Sequence, residues 1–240
     1  MTIIFDFVKD SKTRLTNTFK TQPKCTTLRI MSTDKVTIGK ITTKKGLFSK
    51  RPLDPSNELK ALAETYCSEQ LKLSNETLAD TFNLPEAYQK FEFKDIPQKV
   101  KVVLSEDGKV EKLFFPLMLS IIYCLEKSFI LFNRSYYLHG VLQGCSKTTD
   151  IEAEASKSYE MEQVYYNKVT SIKVEHNEAE WDVITAKGCA CSGDFLEKYK
   201  FEQDGMKIRC GENFDIFSSE EPKELRDCRQ FLMEKIDAQQ

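Results

Sequence analysis

Near its C-terminus the chain alternates apolar and polar residues one for one, and this limits what it can fold into more than any other feature. Thr170, Ile172 and Val174 fall on one side of the alternation, with Ser171, Lys173 and Glu175 on the other. Tyr199 and Phe201 oppose Lys198, Lys200 and Glu202, and Met206, Ile208 and Cys210 oppose Lys207 and Arg209. A strand repeats every two residues, so these runs read as strands with one buried and one wet face, the pattern of an antiparallel sheet. Val169–Val174, Trp181–Thr185 and Asn213–Phe217 read as strands, and Asp204-Gly205 as a hairpin turn. A helix follows from about Ser219. Glu220 and Glu221 favour the positive end of its dipole, Pro222 suits its first turn, and Leu225, Cys228, Phe231, Leu232 and Ile236 form its apolar stripe. That stripe must be covered, and the sheet before it is the nearest cover.

The rest of the chain is mixed. Residues 2–20 read as a basic amphipathic helix. Ile4, Phe7, Val8, Leu15 and Phe19 make its stripe, and Lys9, Lys12, Arg14 and Lys20 surround it. Thr26–Met31 and Val36–Thr42 read as strands. A basic loop at 35–51 carries Lys40, Lys44, Lys45, Lys50 and Arg51 around Leu47-Phe48. Asn57–Leu71 reads as a helix capped by Ser56, and Ser74 as the cap of a second one. Residues 84–93 have no clear assignment. Lys99–Leu104 and Lys109–Phe115 read as strands joined at Asp107-Gly108. Leu117–Leu125 fits a helix or a buried strand, Phe129–His139 an aromatic-rich strand, and Gly140–Glu154 a connection.

Charge is unevenly spread. The formal net charge is −2, but residues 1–51 carry +9, residues 52–112 carry −4 and residues 113–240 carry −7, which sum to −2. A basic arm on an acidic body predicts contact with something anionic, a membrane surface being the simplest case, or packing of the arm on its own body. The loop's Leu47 and Phe48 would enter a bilayer while its cations meet head groups, or the loop would simply be solvated. The 8 cysteines are too sparse for a disulfide scaffold and fit a reducing compartment, so a cytoplasmic protein, peripherally membrane-bound through its arm, is expected. No secretory signal or membrane span is legible: Asp6 interrupts Ile3-Ile4-Phe5, and the apolar run from Leu113 ends at Glu126-Lys127.

The order of elements after residue 113 resembles that of a pleckstrin-homology or GRAM-like module, including its bacterial relatives. Ile130-Leu131-Phe132-Asn133-Arg134-Ser135-Tyr136-Tyr137 is similar to the first strands of such modules. The run Glu162–Ile172 is similar to their recurrent Tyr/Val/Ser/Ile strand. The resemblance implies a PH-like antiparallel β-barrel capped by the C-terminal helix (113–240), and with the N-terminal amphipathic helix (1–20) and the small mixed α/β region (21–112) read from the residues it makes an α+β protein. It implies binding of lipids, peptides or proteins without catalysis or cofactor. The basic loop by which some members take inositol phosphates is missing, because Lys147 and Lys157 sit among Asp150, Glu152 and Glu154.

Motifs for chemistry are sparse. Gly39-Lys40-Ile41-Thr42 fails as a phosphate loop, lacking the upstream glycine and the Ser or Thr after lysine. Cys189 and Cys191, completed by Cys210 and His176, make a candidate zinc site or redox pair without the second close pair of a zinc ribbon. Cys145 and His139 make a candidate nucleophile and base. The arm lacks the interleaved aromatics of a nucleic-acid reader. The sequence therefore predicts a non-enzymatic adaptor with a protein or peptide partner and no cofactor. A cysteine-centred enzyme or zinc protein, and a structural subunit of a larger complex, are the competing readings.

Overall fold

A computed structural model describes residues 27–30, 35–43, 54–84, 89–108, 110–142, 146–156, 159–185, 196–218 and 222–239. The predicted helix at 2–20 and the loop residues Lys44, Lys45, Leu47, Phe48, Lys50 and Arg51 lie outside them. The elements are β1 (Thr27–Ile30), β2 (Lys35–Thr42), α1 (Ser56–Phe82), β3 (Gln89–Asp95), β4 (Lys101–Leu104), β5 (Val110–Cys124), β6 (Ser128–Val141), β7 (Thr148–Ala155), β8 (Tyr159–Tyr165), a 3-10 turn (Tyr166–Lys168), β9 (Ser171–Ile184), β10 (Leu196–Cys210), β11 (Glu212–Ser218) and α2 (Pro222–Asp237). Every strand pairing is antiparallel.

An 8-stranded sheet forms the body and a 3-stranded sheet, β11-β10-β9, lies beside it. In the large sheet β5 and β6 are the full-length central strands. β3 and β4 follow one another along the outer side of β5, while β8 and β7 share the other side of β6 and carry β1 and β2. Period-two alternation sends the central strands' side chains to two cores. Leu113, Phe115, Leu117, Leu119 and Ile121 of β5, with Ile130, Phe132, Tyr136 and Leu138 of β6, meet Leu59, Ala63, Cys67, Leu71 and Leu78 of α1. On the opposite face Ile122, Cys124, Phe129 and Leu131 join Ile172, Met206, Ile208, Phe214 and Ile216 of the small sheet, with α2 packed among them through Leu225, Cys228, Leu232 and Ile236. The ambiguous 117–125 run is thus strand, buried on both faces where α1 and α2 lie opposite each other.

The expected closed barrel is not found. The protein is mainly β, with two described helices, and among the described residues no ladder joins the two sheets. α2 packs in the core that the two sheets share, so the sheets meet face to face through side chains and not edge to edge through a ladder. Several local readings also change. The strands read at 169–174 and 181–185 are parts of one strand, β9, because β10 pairs with it continuously from Leu196↔Ile184 to Arg209↔Ser171. Asp204-Gly205 is no turn but lies inside β10, opposite Ser218 and Phe217. A Cβ on Gly205 would come within 2.6 Å of the Phe217 ring, so glycine is there to admit an aromatic. The actual turn is at Gly211, whose φ of 100° only glycine holds cheaply. Ser74 starts no second helix: it is buried in the middle of α1, where it continues the stripe of Leu59, Ala63, Cys67, Leu71 and Leu78. Residues 148–155, read as connection, form β7, and the Glu162–Ile172 run is split by the 3-10 turn.

The cap of α1 is also displaced. Ser56 makes no side-chain bond back to its own helix. Asp54 instead accepts hydrogen bonds from the Ser56 backbone N–H (3.0 Å), the Ser56 hydroxyl (2.5 Å) and Lys99 Nζ (2.6 Å). The Ser56 oxygen in turn accepts the buried Val100 N–H at 3.2 Å. This clamp fixes the corner between β3 and β4 to the start of α1, and that corner forms one wall of the groove described next.

Candidate functional site

β9 and β10 form a long ribbon anchored at both ends and exposed in its middle. At one end Ile172, Met206 and Ile208 enter the α2 core. At the other, Ile184 is buried with Val102 and Leu113 on the α1 side. Between them Val174, His176, Asn177, Glu178, Ala179 and Glu180 are exposed, and β9 has no ladder on its outer edge among the described residues.

Strand register sorts the side chains into two sets. Trp181, Ala179 and Asn177 pair with Tyr199, Phe201 and Gln203. Trp181 and Phe201 have ring centroids 4.3 Å apart, and Tyr199 stacks with Phe201 at 6.4 Å and 8°. The alternate set pairs His176 with Asp204, Glu178 with Glu202, Glu180 with Lys200 and Asp182 with Lys198. Three of the ribbon's lysines are ion-paired: Lys198–Asp182 at 3.0 Å, Lys200–Glu180 at 3.8 Å, and Lys207 to Glu175 on β9 and Asp215 on β11 at 3.3 and 3.4 Å. Glu178 and Glu202 face each other across the two strands, with the imidazole of His176 beside them. Its Nδ1 lies 2.8 Å from Asp204 Oδ1 and its Nε2 3.7 Å from Glu202 Oε2. The Asp204 hydrogen bond, followed by the carboxylate charges, raises the His176 pKa above its ordinary value.

Where the ribbon passes the β3–β4 corner it leaves an open groove of about 410 Å³, lined by Asp95, Pro97, Gln98, Glu178, Tyr199, Lys200, Phe201 and Glu202. Gln203 donates to Asp95 across this junction. Aromatic faces beside carboxylates attract organic cations by cation–π contact and charge together.

Of the residues predicted to meet an anionic surface, only Lys40 is among those described. It is exposed on β2 and paired with Asp150 at 3.0 Å. Ile4, Phe7, Val8, Lys9, Lys12, Arg14, Leu15 and Phe19 lie outside the described residues, as do Cys145, Cys189 and Cys191. The proposed joint use of His176 and Cys210 fails: His176 pairs with Asp204, six residues from Cys210 along β10, roughly 20 Å at ~3.3 Å per residue. His139 sits in the large sheet with Glu152 and Glu154 at 3.8 and 3.6 Å. Burial pushes the thiols of Cys67 and Cys124 up to about 12, and that of Cys228 upward as well, the opposite of an activated nucleophile.

No family model matches the chain, and no curated protein or solved structure is similar to it. The resemblance to pleckstrin-homology modules stays on the residue pattern alone. Among the described residues no helix is long and apolar enough to cross a membrane.

Proposed function

We propose that the protein is a non-enzymatic adaptor that holds an extended, basic protein segment along the β9–β10 ribbon, while its basic N-terminal arm meets an anionic surface, in the simplest case a membrane. The groove carries this reading: Tyr199 and Phe201 border it from one face of the ribbon and Glu178 and Glu202 from the other, with Asp95 at the neighbouring corner, so that a lysine or arginine side chain entering it meets aromatic and carboxylate groups. The edge of β9 supports it, since an extended segment gains main-chain hydrogen bonds there and side-chain selection in the groove.

The test is fluorescence anisotropy with a labelled Lys/Arg-rich peptide and an acidic peptide of equal length. The basic peptide should bind, more weakly as salt rises, and Tyr199→Ala should weaken it about tenfold with the circular dichroism unchanged. Equal binding of the acidic peptide, or an unaffected Tyr199→Ala, refutes the groove assignment. The arm is tested with anionic vesicles. Truncation at residue 51 would remove β2 and its buried Ile41, so substitution is the cleaner probe. Replacing Lys44, Lys45, Lys50 and Arg51 by Gln should release the chain from vesicles that retain the native protein, and unchanged retention removes the loop from the proposal.

A further inference from the structure

The ribbon sets His176, backed by Asp204, beside two carboxylates that also line the groove, and the peptide reading makes no use of that imidazole. Glu178 and Glu202 are directly opposite in register on the same face. Like charges placed so are destabilising in a sheet, and Lys198, Lys200 and Lys207 are ion-paired to other carboxylates. A nitrogen donor stands next to them: one ligand atom each from His176, Glu178 and Glu202 lies within 4.8 Å of the others. Asp204 takes the remaining ring nitrogen at 2.8 Å. With a proton on Nδ1 held by Asp204, Nε2 turns its lone pair toward the two carboxylates. A carboxylate behind an imidazole in this way fixes the tautomer and raises the basicity of the free nitrogen, as it does behind metal-bound histidines.

We propose that His176 Nε2, Glu178 and Glu202 form a cross-strand site for a divalent first-row transition ion such as Zn²⁺, with Asp204 as the positioning residue behind the imidazole and water completing the shell. One nitrogen and two oxygens suit such an ion better than Ca²⁺ or Mg²⁺, which favour all-oxygen sets. The bound cation removes the Glu178–Glu202 repulsion and pins the two strands together in their exposed middle. The three side chains are exposed, so their replacement leaves both cores intact.

The chain has 2 histidines, which makes the imidazole signals a direct readout. Zn²⁺ is titrated alone, without peptide, into the full-length protein, with Mg²⁺ as control, and the His Hε1 and Hδ2 resonances are followed by NMR beside calorimetry. The expected result is a shift of the His176 signals by Zn²⁺ and not by Mg²⁺, with about one calorimetric equivalent lost in His176→Ala and in the Glu178→Gln/Glu202→Gln pair. Asp204→Asn should keep that equivalent but weaken it roughly tenfold or more, as expected of a positioning residue. Zinc held only by the cysteines would leave the His176 signals in place and the equivalents unchanged in His176→Ala, and that result overturns the site. Because no peptide is present, a failed peptide assay leaves this result standing, and a failed zinc titration leaves the peptide reading untouched.

Discussion

Replacing Asp54 should loosen the corner on which the groove is built, and the size of the effect follows from its partners. In Asp54→Ala the first turn of α1 loses an acceptor for a backbone N–H, a change worth typically ~1 kcal/mol at a helix start. The Ser56 hydroxyl, 2% exposed as a residue, loses the partner for its proton, adding about 1 kcal/mol. The Lys99 pair has side chains 38% and 21% exposed, so solvent screening limits it to under about 1 kcal/mol. The sum is about 2–3 kcal/mol, which in a chain of this size lowers Tm by roughly 4–12 °C. Asp54→Asn keeps an acceptor for Ser56 and loses chiefly the charge, so it should cost about 1 kcal/mol. Burial raises the Asp54 pKa, but the hydrogen bonds from Lys99 and Ser56 outweigh it and hold the carboxyl below its ordinary 3.8. A depressed carboxyl stabilises above its unfolded pKa and loses that contribution as pH falls through its folded one. The gap between native and Asp54→Ala should therefore be full at pH 7 and at pH 5, and shrink once pH drops below about 4. Urea denaturation at several pH values measures this directly. Equal midpoints at pH 7, or a gap that persists unchanged into strong acid, would refute the clamp.

Other expectations concern the cores and the ribbon. Gly205→Ala should destabilise by about 1–3 kcal/mol in thermal unfolding, because the added carbon strikes the Phe217 ring at 2.6 Å. Gly205→Ala in a Phe217→Leu background should recover part of that loss if the contact is the cause. Leu232→Ala, fully buried in α2, should cost about 2–5 kcal/mol, and Phe231→Ala, half-buried on the same helix, clearly less. Iodoacetamide at pH 8 followed by peptide mapping should leave Cys67, Cys124 and Cys228 unmodified in the native protein, since burial holds all three as thiols.

The parts of the fold that show in the sequence are those where a single face decides. α2 is one: Leu225, Cys228, Leu232 and Ile236 repeat at helical spacing, and all four are buried. β2 and the turn at Gly108 are others. The 117–125 stretch of β5 was ambiguous because it is buried on both faces, and a doubly buried strand has lost the alternation that distinguishes it from a helix. The middle of β9 was illegible for the opposite reason. Glu175-His176-Asn177-Glu178-Ala179-Glu180 has poor strand propensity and little burial, and it is extended because β10 pairs with every residue of it. Ser74 misled because serine at a helix start and serine facing a core from mid-helix look alike in one dimension.

The misplaced turn at Asp204-Gly205 explains why the site itself was hidden. A hairpin there would fold residues 199–204 back on 205–210 and give every side chain in that stretch a different neighbour. A slip of register reassigns a whole face at once. With β10 continuous through Gly205, Glu202 arrives opposite Glu178 and Asp204 opposite His176, across separations of 24 and 28 residues that no local motif encodes. His176 reads as a ligand in the sequence, but beside Cys189, Cys191 and Cys210, which look like metal ligands by type. The carboxylates it faces read as ordinary surface charge. What makes them a candidate site is the β9–β10 register, which runs unbroken through Gly205, where the strand also admits the Phe217 ring of β11. The groove therefore depends on Gly205 as well as on Asp54. A disturbance at Phe217 that shifts β10 by one residue would separate His176 from Asp204 and Glu178 from Glu202 together, without touching any of the four.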